Sequence, residues 1–316
     1  MAVGVLGACL LAALGSWFTV ARRHDDGGHK REVGLSERVL KQGDHIGFLA
    51  IDGMITEDEV GGFGSSGAGA RGIIETLDEM ADDDLGVLVL RINSPGGSAA
   101  ASSAIHDKIL QLKKTRGVKV VASFGDVAAS GGYYIACAAD RIVANPSTLT
   151  GSIGVIMHLM NYQSLLGKVG VNSVVIKSGK HKDIGSPDRP MTGEERQILQ
   201  SIIDDTYGEF VQAVAAGRQM PVTQVRTLAD GRIYTGRQAL KHRLVDQLGN
   251  LDDALILARS LAKLDEDAEV VDYGAGDWKR MVKNLLGSRA EPLAGLLGAS
   301  PVLAATLNKV PLMLYE

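Results

Sequence analysis

Two nearly unbroken apolar runs, LGVLVLRI at 85–92 and VKVVASF at 118–124, constrain the fold more than any other feature. In a strand successive side chains point to opposite faces. A run that is apolar at every position must therefore be covered on both faces, as in a parallel sheet flanked by helices. Between the runs lie the turn NSPGG (93–97) and a segment from Ser98 to Lys114 in which Ile105, Ile109 and Leu112 share one helical face. HIGFLAIDGMI (45–55) alternates and reads as another strand, and shorter strands are expected near 141–144 and 173–177. A helix is expected over 73–83. This order predicts an α/β domain with a parallel sheet and right-handed crossovers. Thr192 and Glu195, in T-G-E-E, form a capping box that should open a helix running to about Ala216. Further helices fit 236–243 and 252–263, and no repeat of 20 to 50 residues is visible.

The ends of the chain differ from this middle. Residues 2–21 carry no charge, and Trp17 near one end suits an interface anchor. Residues 1–21 are thus expected to form a transmembrane anchor. A cleaved signal peptide, a lipid at Cys9 and a buried helix are the alternatives. Arg22, Arg23, Lys30 and Arg31 follow the span. By the positive-inside tendency they would place the large domain in the cytoplasm. Residues 22–44 read as a polar linker, 45–265 as the main domain and 266–316 as a C-terminal tail that docks on the domain or on a neighbour. A net charge of −4 gives no electrostatic case for nucleic acid. Cys9 and Cys137 sit in apolar surroundings and read as small buried hydrophobes. Histidines and carboxylates show no metal-ligand spacing, so no metal is expected. GFGSSG (62–67) matches G-x-G-x-x-G, but the next strand ends in Arg91, Ile92 and Asn93 instead of an acidic residue. A loop at the rim of a site fits better than cofactor binding, and no cofactor is expected.

The candidate chemistry lies in DVAASGGYYIACAAD (126–140). Ser130 at a strand-to-helix turn would expose its hydroxyl, and the following Gly131 amide could meet a developing oxyanion. Gly97 of the NSPGG turn could bring a second amide to the same oxygen. Tight turns and close helix packing explain the same glycines without chemistry. For the base, His158 in GVIMHLMNY would make a Ser-His-Asp triad. Lys177, Lys180 and Lys182 in KSGKHKDIGSP are the other option, or simply a solvated charged loop.

SPGG, ASGGYYIA, TLTGSIGVI, SGKHKD and GRIYTGRQALKHRLVDQLG occur in this order and at spacings that resemble peptidase family S49, the serine–lysine signal peptide peptidases of the short, single-copy form. The likeness runs from about Ile46 to Leu261. It implies a ClpP/crotonase-like α/β domain, Ser130 as nucleophile and Lys182 as general base. It further implies Ser152 as the residue orienting that lysine, and Gly97 and Gly131 as oxyanion amides. His158 has no role in it. The resemblance also implies a homo-oligomeric ring, an octamer, in which one subunit's lysine serves its neighbour's serine. The expected substrates are released signal peptides and other short hydrophobic peptides. It places the domain on the outer side of the cytoplasmic membrane, against the arginines after the anchor. A noncatalytic membrane scaffold and a crotonase-like acyl-CoA enzyme on the same fold are the competing readings. Lysine as base needs a drop of about 3 units from its ordinary pKa, which desolvation can supply. Asp183 beside Lys182 would oppose that drop. It is therefore expected to turn away, toward backbone amides or Arg189.

Overall fold

The computed structural model describes residues 43–58, 67–83 and 85–274. The expected anchor at 1–21, nearly all of the expected linker and residues 275–316 lie outside them, as does most of the GFGSSG loop. Among the described residues no helix is long and apolar enough to cross a membrane.

The sheet is built as the apolar runs require. β4 (Val87–Ser94) sits between β1 (Ile46–Asp52) and β5 (Lys119–Ala129), and all three run parallel. Outside them the order continues through β10 (Val270–Asp272) on one side, and β6 (Arg141–Ala144) and β9 (Gln247–Leu248) on the other. β10 lies in the expected tail, where it pairs with β1. A small second sheet pairs β2 (Met54–Thr56) with β3 (Gly67–Gly69).

Both faces of β4 are covered. Leu88, Leu90 and Ile92 pack with Leu77 of α1 (Ala70–Asp82), Ile105 and Ile109 of α2 (Ala99–Arg116), and Ile135 of α3 (Gly131–Ala136). Val87 and Val89 face the other way, onto Ala254 and Ala258 of α8 (Leu251–Ala262). Each such aliphatic side chain, fully buried, contributes about 1.5–3 kcal/mol relative to exposure. α2 begins where Ser98 Oγ accepts from the Ala101 amide and ends at Gly117, whose φ of 70° suits glycine at a helix stop.

β5 continues beyond the apolar run, which ends at Phe124. Its first half, Val121–Ser123, pairs with β6; its second half, Val127–Ala129, pairs with β7 (Leu149–Gly151). The Thr148 hydroxyl donates to the Gly125 carbonyl at 2.7 Å and the Thr150 hydroxyl to the Ala128 carbonyl at 2.6 Å, fixing this fork. β7 also pairs, antiparallel, with β8 (Ile233–Thr235).

The remaining helices are α4 (Gln163–Lys168), α5 (Gly193–Gly217), α6 (Val222–Leu228) and α7 (Gly236–Lys241). α5 opens with the expected capping box between Thr192 and Glu195. Cys137 is buried, and burial pushes its thiol up to about 12, so it behaves as core. Beside it, Tyr133 donates to the Leu244 carbonyl at 2.7 Å, and the Arg218 guanidinium grips both oxygens of Asp246.

One expected strand is absent. Among the described residues, 173–177 join no strand; Val174 is 85% and Ile176 97% exposed. The run SVVIK is rich in β-branched residues, but among the described residues no strand pairs with it, so its backbone groups join no ladder. It belongs to an arm, residues 155–191, that carries many other exposed apolar side chains, Met160, Leu165 and Val169 among them.

Candidate active site

Ser130 stands at the end of the forked strand. Its amide donates to the Gly151 carbonyl at 2.9 Å, and its carbonyl accepts from Tyr134 at the start of α3. Its backbone, φ 51° and ψ −121°, is in a region that non-glycine residues rarely occupy. Such strain costs on the order of 1–3 kcal/mol and persists where the surroundings over-determine it. Serine at a helix N-cap ordinarily accepts a hydrogen bond from the first turn; Ser130 makes none, so its hydroxyl is not spent on capping.

The NSPGG turn presses against this serine. A Cβ on Gly96 would lie 2.7 Å from both the Gly131 nitrogen and the Ser130 Cβ, so only glycine allows the approach. Gly97 forms a parallel bridge with Ile55: the Ile55 amide donates to the Gly96 carbonyl at 2.9 Å, and the Ser98 amide to the Ile55 carbonyl at 2.8 Å. Backbone groups alternate along an extended segment, which turns the Gly97 amide away from Ile55. Among the described residues, neither the Gly97 nor the Gly131 amide donates to a protein acceptor. A Cβ on Gly97 would overlap the Ile55 carbonyl, so this bridge also demands glycine.

Ser130, Gly97 and Gly131 line one cavity of about 710 Å³, within the range of about 300–1,000 Å³ usual for ligand sites. Ala100, Ala104, Tyr134 and Phe210 supply apolar wall. The other expected residues are placed differently. Ser152, the residue directly after β7, has φ 50° and donates its amide to the Arg232 carbonyl at 2.8 Å. It adjoins the Gly151 carbonyl that holds Ser130. His158 is exposed on the arm and does not line the cavity. Lys182 is also exposed in the protomer, in a turn closed by its amide donating to the Gly179 carbonyl at 3.2 Å. Among the described residues, no lysine lines the Ser130 cavity.

Asp183 turns away from that amine, as the chemistry requires. Arg189 holds it through two bonds of 2.9 Å, and Lys177 adds a third at 2.6 Å. Arg189 also donates to Glu195, which is only 2% exposed. These cations hold the Asp183 carboxyl well below the usual carboxylate range, Arg189 contributing most, and Arg189 brings Glu195 down to about 2. Sequence reading named Arg189 as a possible partner, but the part played by Glu195 was hidden in its capping role. Among the described residues no His, Cys, Asp or Glu cluster could hold a metal ion.

A parallel sheet with a glycine turn pressed against a serine at a strand-to-helix junction defines a ClpP-like α/β domain. The Clp protease family model matches residues 69–149, and the model of peptidase family S49 matches residues 112–265. A candidate protease of Synechocystis sp. is 46% identical over 83% of this chain and 96% of its own length. A candidate signal peptide peptidase SppA of Enterococcus faecium is 37% identical, over 83% of this chain and 77% of its own. The chloroplastic serine protease SPPA of Arabidopsis thaliana is 40% identical over 56% of this chain, but over only 26% of its own greater length. A ClpP1 mutant from Listeria monocytogenes aligns with a TM-score of 0.44 at 19% identity, over 66% of this chain and 94% of that one. That likeness is too loose to carry the fold, which rests on strand order and the family models. The chain belongs to peptidase family S49.

Proposed function

We propose that this chain is a membrane-anchored serine endopeptidase that degrades released signal peptides and other short hydrophobic peptides through an acyl-enzyme. The observation that carries the reading is Ser130: a strained serine with an uncommitted hydroxyl, between two glycine amides, at a cavity of peptide-side-chain size. The Ser130 oxygen attacks the scissile carbonyl carbon while the neutral Lys182 amine takes the hydroxyl proton. The Gly97 and Gly131 amides receive the oxyanion, each such donor lowering the barrier by about 3 kcal/mol. Collapse breaks the C–N bond, and the leaving amine takes its proton from the lysine. Water, deprotonated in turn, releases the acyl group. Ser152 orients the lysine.

Lys182 needs a dry environment that the single protomer does not supply. The arm that carries it exposes more apolar surface than a solitary domain normally leaves in water. We take this as support for a homo-oligomeric ring, an octamer, in which the arm seats on the neighbour, delivers Lys182 to that subunit's Ser130 and excludes water there. Residues 2–21 serve as anchor in the cytoplasmic membrane, with the domain on its outer side.

A fluorophosphonate probe tests the chemistry. Labelling should disappear in Ser130→Ala and in Lys182→Ala. Labelling unchanged in both ends the hypothesis. Mixing the two inactive variants under subunit exchange should restore part of the activity; no recovery excludes shared sites. Protease treatment of intact cells and of spheroplasts tests the outward orientation, and a domain digested only after lysis refutes it.

A further inference from the structure

The wall of the Ser130 cavity has a composition that the reading above does not use. Close to the serine it is apolar, formed by Ala100, Ala104 and the Tyr134–Phe210 pair, whose rings lie 5.0 Å apart. Two carboxylates, Asp107 on α2 and Glu209 on α5, complete it, and among the described residues no Lys or Arg lines it; Arg226 lines the adjoining cavity with both acids, opposed there by Asp204 and Asp205. Glu209 has no ion-pair partner among the described residues. Asp107 faces only the His106 ring, at 3.2 Å. His106 is buried between α2 and the Tyr134 ring, and burial holds its pKa below the ordinary value. At neutral pH that ring is uncharged and leaves the Asp107 charge uncompensated. Tyr134 registers both anions: burial raises its phenol most, and Asp107 and Glu209 raise it further. An apolar channel rimmed by two exposed carboxylates, neither in a salt bridge with a Lys or Arg among the described residues, suits a side chain with a methylene stem and a cationic tip.

On the reading that Ser130 is the nucleophile, we propose that Asp107 and Glu209 determine specificity. They make this cavity the pocket for the residue donating the scissile carbonyl and favour lysine or arginine there. Cleavage then falls at basic positions of hydrophobic peptides. Signal peptides carry such positions in their positively charged n-region, beside the apolar stretch. The charges also help in the opposite sense, by disfavouring glutamate or aspartate in the same pocket.

The test uses the full chain in detergent and four fluorogenic peptides that differ only at the residue before the cleaved bond: lysine, arginine, norleucine and glutamate. Norleucine matches the lysine stem without the charge. The wild type should give a higher kcat/KM for lysine than for norleucine, and the least for glutamate. The lysine-to-norleucine ratio should fall about fivefold in each of Glu209→Gln and Asp107→Asn, the scale of a partly exposed ion pair. Raising the salt should lower the ratio in the wild type. Glu75→Gln, the same charge change on an exposed face of α1 outside the cavity, should leave the ratio alone. A ratio insensitive to salt and to both cavity substitutions overturns the proposal, as does a Glu209→Lys variant that still prefers lysine. If a variant fails to fold, the salt series and the glutamate peptide decide it on the wild type. Norleucine hydrolysis with probe labelling of Ser130, but no lysine preference, sinks only this inference. Loss of all hydrolysis and labelling in the wild type sinks the peptidase reading itself.

Discussion

Arg189 closes a two-pronged grip on Asp183, Nε to Oδ2 and Nη2 to Oδ1, each at 2.9 Å. The same guanidinium reaches Glu195 at the start of α5, so one cation ties the lysine turn to the long helix. Both carboxyls have folded pKa values below their unfolded ones, about 3.9 and 4.3. Groups of this kind stabilise fully above the unfolded value and lose that contribution as pH falls toward the folded one. Protection factors of the amides in 179–195, corrected for intrinsic exchange at each pH, should therefore be steady above about pH 5 and fall below about pH 4, with loss nearly complete near the folded value of about 2 for Glu195. Unchanged protection down to that pH contradicts the grip. Arg189→Ala leaves Glu195 buried without its cation and should lower peptidase turnover about 10- to 100-fold by misplacing Lys182.

Gly97→Ala tests the glycine turn. The added methyl meets the Ile55 carbonyl, so either the bridge opens or the amide moves. Turnover should drop about 10²–10³-fold, as for loss of one oxyanion donor, with a lower melting temperature. Wild-type kinetics in this variant would exclude the turn from the chemistry.

Strain at position 130 predicts a trade between stability and function. Ser130→Gly should abolish activity and stabilise the fold by about 1 kcal/mol in urea unfolding, because glycine tolerates a φ of 51°. Ser130→Ala keeps the Cβ and should show no such gain. Equal stability of the two would mean that the backbone there is relaxed.

The Arg218–Asp246 pair predicts a stability effect away from the serine. Arg218 is almost wholly buried, and Asp246 also accepts from the Ile142 amide at 2.7 Å. Arg218→Ala should destabilise by about 1–3 kcal/mol, from lost packing of the guanidinium stem and two lost charge-assisted bonds, the Asp246 left behind being open to water. A loss under about 1 kcal/mol would show that water replaces the cation.

Much of this arrangement was legible because local chemistry and tertiary structure agree. The runs at 85–92 and 118–124 are apolar at every step since both faces of β4 and β5 are covered, and Thr192 caps α5 as its spacing with Glu195 implies. Ser130, Gly97 and Gly131 meet at one cavity, as the turn chemistry suggested. The continuation of β5 to Ala129 was not readable. Gly125 and Asp126 break the apolar pattern, and the strand persists there by exchanging β6 for β7. α6 and β8 are too short for periodicity to show. Residues 173–177 failed in the opposite way: their β-branched run promises a strand, but among the described residues it pairs with no other strand. Asp107 and Glu209 look like ordinary surface acids until α2 and α5 bring them to one cavity.

The fork in β5 separates two jobs along a single strand. Its first half is paired on both sides within the main sheet, whereas the half that leads to Ser130 keeps one pair with β4, Ser94 to Ala128, and takes its other side from the little β7–β8 ribbon. Substitutions at the ribbon's exposed positions, Leu149 and Ile233, can shift Ser130 by fractions of an ångström while leaving the hydrophobic centre untouched; Tyr234 belongs to that centre. If Ser130 is the nucleophile, its rate can be tuned there with little effect on folding, and variants selected for altered rate should cluster at Leu149 and Ile233 rather than in the strands beneath them.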